Sequence, residues 1–173
     1  MGDSVYVTEY DPVWPGKFEA LATRVRVCLG DLAHRVEHVG STAVLGLAAK
    51  PVIDLDVIVA SRPDVVLAIE RLATIGYTHR GDLGVVGREA FRWPPGEERH
   101  HLYLLADGAE ELRRHLAFRD AMRADSRLRD EYAALKRRLA DQYRDDRAAY
   151  VAGKSDFVES VLRGPCIGSA PVQ

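Results

Sequence analysis

Apolar and polar residues alternate along this chain in two rhythms. The most ordered stretch runs from His38 to Val59, HVGSTAVLGLAAKPVIDLDVIV. Its second half, Val52–Val59, is β-branched and aliphatic, broken only by Asp54 and Asp56. That pattern predicts a buried strand. Strand side chains alternate faces, so Asp54 and Asp56 point one way while Ile53, Leu55 and Val57 point the other. Leu32–Val39 reads as a strand ending at Gly40-Ser41, and Thr42–Lys50 as a loop or short helical turn. Upstream, Val5–Thr8 alternates weakly, as a short edge strand would. Asp11-Pro12 reads as a helix start, Asp capping and Pro in the first turn. Phe18, Leu21, Val25 and Cys28 then recur at helical steps up to Gly30.

Downstream, Ser61-Arg62-Pro63 opens a helix with a stripe of Val65, Ile69, Leu72 and Ile75, closed by Gly76. Tyr77–His79 predicts a short strand. Val85–Trp93 and Arg99–Ala106 flank Pro94-Pro95-Gly96 and predict an antiparallel hairpin. From Ala109 the chain turns helical and charge-rich. Leu112, Leu116 and Met122 mark one helix. Ser126 is expected to cap the next, which carries Leu128, Tyr132, Leu135, Leu139 and Tyr143. A last helix covers Ser155–Leu162. The tail after Gly164 reads as disordered, which leaves one domain over 1–164. The order of elements predicts an α/β (α+β) fold: a mixed β-sheet flanked by helices, with a C-terminal helical half packed on it.

Composition narrows the class. The 173 residues are 47% hydrophobic and 29% charged, as in ordinary globular proteins, and the net charge of −2 argues against a broad basic face for nucleic acid. No run is long and apolar enough to span a membrane, and MGDSVYVTEY lacks the pattern of a signal peptide. Cys28 and Cys166 have no metal-ligand spacing, so reduced thiols and a cytoplasmic location are the expectation.

The candidate chemistry sits on the central stretch. Two neighbouring carboxylates in apolar surroundings repel each other and lose hydration, and a divalent cation offsets both penalties. Asp54 and Asp56 are therefore candidate Mg2+ ligands and catalytic residues, although a solvated sheet face is the plainer alternative. Gly40 lets backbone approach a phosphate, and Ser41 can donate to one; equally, the pair can be a simple turn. Lys50 is a candidate phosphate cation or a surface lysine. Its surroundings exclude a P-loop, since Lys50 precedes Pro51 and a strand rather than opening a helix. On the hairpin, Arg99, His101 and Tyr103 share one face, and so do Arg88 and Arg92. A polar face meeting the Asp pair across the sheet would join anionic metal ligands to cationic phosphate partners. An exposed antiparallel face is the alternative. His101 is a candidate third ligand or base, with Arg92 and Tyr103 on the nucleotide side.

The string Glu37–Val59 closely resembles the signature of the GrpB-like proteins, within the nucleotidyltransferase superfamily; the same module is appended to some bacterial dephospho-CoA kinases. The likeness continues through Tyr10-Asp11-Pro12-x-Trp14, Arg92, His100-His101-Leu102-Tyr103, Leu116–Arg123, Tyr132–Lys136 and Lys154-x-x-Phe157-Val158. It implies a nucleotidyltransferase-type sheet, an Asp-x-Asp metal site at Asp54 and Asp56, and Gly40 and Ser41 at the phosphates. It also draws attention to Arg119, Lys136 and Lys154. Two departures stand out. Leu45 occupies a position where the family usually has Pro. Many active nucleotidyltransferases carry a third carboxylate on a later strand; here Arg99–Leu105 contains none, and His101 or Tyr103 stands in its place. The leading expectation is a Mg2+-dependent transferase acting on a nucleoside triphosphate and a small polar acceptor. Two alternatives remain: a module that binds nucleotide or metabolite without turnover, and a nucleotide-independent biosynthetic enzyme on the same scaffold.

Overall fold

A computed structural model describes residues 4–164. Six α-helices and five strands are found among them: α1 Trp14–Leu29, β1 Arg35–Val39, β2 Ile53–Val59, α2 Arg62–Thr74, β3 Thr78–His79, β4 Arg88–Arg92, β5 His100–Ala106, α3 Glu110–Ala124, α4 Ser126–Gln142, α5 Arg147–Ala152 and α6 Ser155–Arg163. The strands form one mixed sheet in the order β1-β2-β5-β4-β3. Only β2 and β5 run parallel; the other neighbours are antiparallel. The expected fold class holds, and β4 and β5 form the expected antiparallel pair.

The sheet buries its two faces differently. Leu55, Val57, Leu102 and Leu104 point to the face covered by α1 and α2, where they meet Trp14, Phe18, Val25, Leu29, Ala68 and Leu72 in the main core. The opposite face is apolar only at one end, where Ile58, Leu105 and Leu112 cluster. The rest of that face carries Asp54, Asp56, His101 and Tyr103. The β1–β2 connection lies on this side. It starts with a 3-10 turn, Ser41–Ala43, and buries Val44, Leu47 and Ala48 against Met122, Tyr132 and Ala133 of α3 and α4. The helical half is thus fastened to the loop that leads into β2. No helix among the described residues is long and apolar enough to cross a membrane.

Several local expectations shift. Val5–Thr8 is not a strand: Thr8 makes one isolated bridge to Ala49, while Val5 packs on Leu139, Ala140 and Tyr150. The first helix starts at Trp14 with Pro15 in its first turn, and Asp11 instead accepts from the Val13 amide. The strand expected from Val85 forms only at Arg88, because Leu83-Gly84 and Val86-Gly87 are turns. Asp125 rather than Ser126 caps α4; its carboxylate accepts from the amides of Arg127 and Leu128. Helix α5 lies outside the elements expected from the sequence; Asp146 caps it. The expected disordered tail lies outside the described residues.

Candidate functional site

Strand register assembles the site. Asp54 lies opposite His101, and Asp56 opposite Tyr103, across the parallel β2–β5 pair. On the other side Asp54 is opposite Val39 and Asp56 opposite Glu37. Asp54 reaches a cavity of about 330 Å3 whose wall includes Ser41, Lys50, His101, Tyr103, Lys136 and Lys154. The Asp54 side chain is 26% exposed, and its Oδ1 lies 2.6 Å from His101 Nδ1. A carboxylate only accepts, so His101 donates through Nδ1–H.

Asp56 differs. It is fully buried, and its Oδ2 lies 2.7 Å from His115 Nδ1 on α3. The other nitrogen of that ring, Nε2, lies 3.2 Å from Glu111 Oε1. Burial disfavours the charged imidazole, but the two carboxylates outweigh it and lift the His115 pKa to about 9. Burial pushes the Asp56 carboxyl up, with His115 pulling against it. An unpaired buried carboxylate costs several kcal/mol, on the order of 3–5 kcal/mol when one partner of a buried pair is lost, so His115 is what makes Asp56 tolerable here.

Gly40 is fixed by its neighbour. Its φ is +69°, and a Cβ there would lie 2.3 Å from Asp54 Oδ2. Only glycine satisfies both the dihedral and the close approach. The following Ser41 is held from the helical half: Lys136 Nζ lies 2.9 Å from Ser41 Oγ and 2.5 Å from Ala48 O. Lys136 is 2% exposed, and burial together with Lys154 lowers its pKa to about 7. Burial also lowers Lys154, while Asp54 opposes that shift. Arg119 donates to Glu37 and to the His38 carbonyl, tying α3 to β1.

Of the residues singled out in the sequence, Ser41, Lys50, Asp54, His101 and Tyr103 line this cavity together, and Gly40 touches Asp54 from its edge. Asp56 sits behind them, closed off by α3. Arg92 lines an adjoining recess instead, across the wall formed by His101 and Tyr103. Sequence reasoning missed His115, Arg147 and Tyr150. A signal for His115 existed in the Glu111-x-x-x-His115 spacing, which pairs the two on one helix face. Lys136 also had one: it falls on the stripe of Tyr132 and Leu139, an apolar position for a charge.

Two carboxylate oxygens of β2 are without a hydrogen-bond partner among the described residues. Asp54 Oδ2 takes no hydrogen bond among the described residues, and Asp56 Oδ1 is buried without a partner. These two oxygens are on one face of one strand, two residues apart. No group of three or more His, Cys, Asp or Glu suited to a metal is found among the described residues. A pair of carboxylates is nevertheless the kind of partial shell that Mg2+ accepts when phosphates and waters complete it.

The chain is 37% identical over 161 residues to UPF0157 protein BH1888 of Halalkalibacterium halodurans, covering 92% of this chain and 82% of that one. It is 28% identical to a dephospho-CoA kinase of Mycolicibacterium paratuberculosis, covering 88% of this chain but 44% of the kinase. Among solved structures, the conserved protein GrpB from Enterococcus faecalis matches with a TM-score of 0.83 at 36% identity, over 91% of this chain and 95% of that one. Cid1 in complex with its short product ApU matches with a TM-score of 0.54 at 16% identity, over 85% of this chain and 48% of that one, a likeness of fold. The family model described as GrpB protein matches residues 4–164, and the chain therefore belongs to the GrpB family.

Proposed function

We propose that this protein transfers a nucleotidyl group from a Mg2+-bound nucleoside triphosphate to a small polar acceptor. The observation that carries this reading is the contact of Asp54 with His101 at the wall of a cavity that also holds Ser41, Lys50, Lys136 and Lys154. Carboxylate, base and phosphate-binding cations converge there on one small volume. The nucleotidyltransferase-type fold adds support: the Cid1 poly(U) polymerase, which shares it, has been solved with MgGTP bound.

Each residue then has a task. Asp54 Oδ2 and Asp56 Oδ1 would hold the metal, which supplies charge stabilisation at the phosphates. Gly40 keeps backbone and Asp54 in close approach. Ser41, Lys50, Lys136 and Lys154 bind the β- and γ-phosphates, Lys136 regaining its full charge as it meets them. His101 Nε2 accepts the acceptor's proton while Nδ1–H stays on Asp54. The acceptor attacks the α-phosphorus in line, the bond to the β-phosphate breaks, and pyrophosphate leaves with the electron pair.

A second reading has one specific observation in its favour. His101, not a carboxylate, lies opposite Asp54, so the site can bind nucleotide without turning it over. Calorimetric titration with each of the four nucleoside triphosphates, with and without Mg2+, tests the shared part. Wild type should bind at least one of them only with Mg2+, and Asp54→Asn should weaken that binding by about 100-fold or more, the loss of a charged contact worth about 3 kcal/mol. Binding that survives Asp54→Asn contradicts both readings. Pyrophosphate release with an acceptor panel separates them: release supports transfer, and tight binding without release supports the binding module.

A further inference from the structure

Next to the Asp54 cavity lies a second recess of about 370 Å3. The two share His101, Tyr103 and Arg147 in their walls. A molecule in the recess would therefore share the His101 wall with one in the first cavity.

The recess has an unusual electrostatic make-up. Arg80, Arg92, Arg99 and Arg147 line it; Arg99 lies over the Trp93 ring, and Arg80, Arg92 and Arg147 make no side-chain hydrogen bond or ion pair among the described residues. No Asp or Glu among the described residues lines it. Several arginines outside the recess are paired, Arg88 with Glu111, Arg114 with Glu159, Arg119 with Glu37 and Arg137 with Glu9, while Arg62, Arg138, Arg144 and Arg163 also lack a side-chain partner among the described residues. Guanidiniums that share one recess repel one another, and an anion reduces that repulsion while satisfying their planar donors. The remaining wall is apolar. Trp93 and Tyr103 contribute to it, and Leu83, 60% exposed with φ at +49°, stands at its mouth. A leucine in the left-handed region, turned to solvent, is a costly arrangement that an apolar ligand body would put to use.

We propose that this recess is the acceptor site, and that the acceptor is a small organic acid: a carboxylate or phosphate monoester on an apolar or aromatic body. This deepens the transferase reading above and rests on it for the word acceptor; binding of such an acid does not. The size of the recess suits a small molecule. The attacking atom would be a hydroxyl oxygen or amine nitrogen on the body of the acid; its proton passes to His101 Nε2 as its bond to the α-phosphorus forms and the bond to the β-phosphate breaks, releasing pyrophosphate.

The test uses the full chain and three probes of similar shape: benzoate, phenyl phosphate and the neutral benzyl alcohol. Their affinities are read by ligand-observed NMR titration. At least one acid should bind about tenfold or more tightly than benzyl alcohol, and Arg80→Gln/Arg92→Gln should remove about that factor. Both arginines are exposed, so the variant should keep its thermal midpoint. Benzoate preference names a carboxylate acceptor; phenyl phosphate preference names a phosphate monoester. Equal binding of the alcohol and the acids overturns the proposal, as does acid binding unchanged in the double variant. Tighter, steeply salt-dependent binding of a short oligouridylate overturns it in favour of nucleic acid. Nucleoside triphosphate binding, measured on the same wild-type sample, separates the two failures. Arginine-dependent acid binding without any nucleotide binding removes the transferase reading and leaves the recess. Nucleotide binding without acid preference does the reverse.

Discussion

Asp54 and Asp56 share a strand, a face and a residue type, yet they occupy different environments. Asp54 opens onto a cavity and touches a histidine with a free nitrogen. Asp56 is sealed under α3 and neutralised by His115, itself held by Glu111. The difference comes from what lies over the strand. Helix α3 supplies a cation to one carboxylate, while α4, α5 and Lys154 line a cavity beside the other. Asp56 is thus anchored by the fold with only Oδ1 left without a partner, while Asp54 opens onto the cavity.

This contrast can be broken or sharpened by substitution. The largest stability effect is expected at the sealed end. His115→Leu leaves Asp56 buried without a cation and should cost about 3–5 kcal/mol in urea denaturation. The double variant His115→Leu/Asp56→Leu should recover most of that, because an apolar pair replaces an ion pair without an orphaned charge. Unchanged stability in the single variant would show that Asp56 needs no internal partner. At the open end, Gly40→Ala forces a side chain onto Asp54 Oδ2 at positive φ. About 1–3 kcal/mol of strain is expected, with loss of Mg2+-dependent nucleotide binding. Wild-type values of both would contradict the close approach.

Acid sensitivity is a third and milder probe. His38 stacks on Phe18, contacts Thr42 and is held by burial at a pKa of about 4. Its folded pKa lies below its unfolded value of 6.5, so the unfolded chain binds more protons between these limits. Stability should therefore fall as pH drops from 6.5 towards 4, by about 2–3 kcal/mol in all. His38→Gln should flatten that limb in a pH series of denaturation curves. An unaltered slope would assign the loss to other groups. The smallest stability change is expected for Lys136→Met. Removing a desolvated cation should leave stability unchanged or raise it by about 1 kcal/mol, while nucleotide binding weakens. A large loss of stability would make Lys136 a structural strut rather than a ligand-binding group.

The sheet was legible in the sequence because its signals are local. Alternation along Ile53–Val59 assigned Asp54 and Asp56 to one face, and the turn at Pro94-Pro95-Gly96 announced the β4–β5 hairpin. The contact between Asp54 and His101 followed once β2 and β5 were neighbours, but their parallel register depends on a crossover that no periodicity reveals. His115 and Lys136 lay beyond local reading: each meets its partner only when a helix docks on the loop or strand, at separations of 59 and 95 residues. Arg147 escaped because α5 has six residues and leaves too short a pattern to detect. The assignment of Arg92 to the phosphates fails to separate two adjoining recesses, since residues on one strand face read alike whichever side of His101 they serve.

The most direct measurement is thermal unfolding of wild type, Asp54→Asn and Asp56→Asn, with and without Mg2+ and each nucleoside triphosphate. A ligand that binds the native state raises the midpoint. Wild type should show a Mg2+-dependent rise with at least one nucleotide. Asp54→Asn should unfold near the wild-type midpoint without ligand and show no rise, whereas Asp56→Asn should already unfold at lower temperature without ligand. A rise that persists in Asp54→Asn would contradict the assignment of Asp54 to the metal and nucleotide.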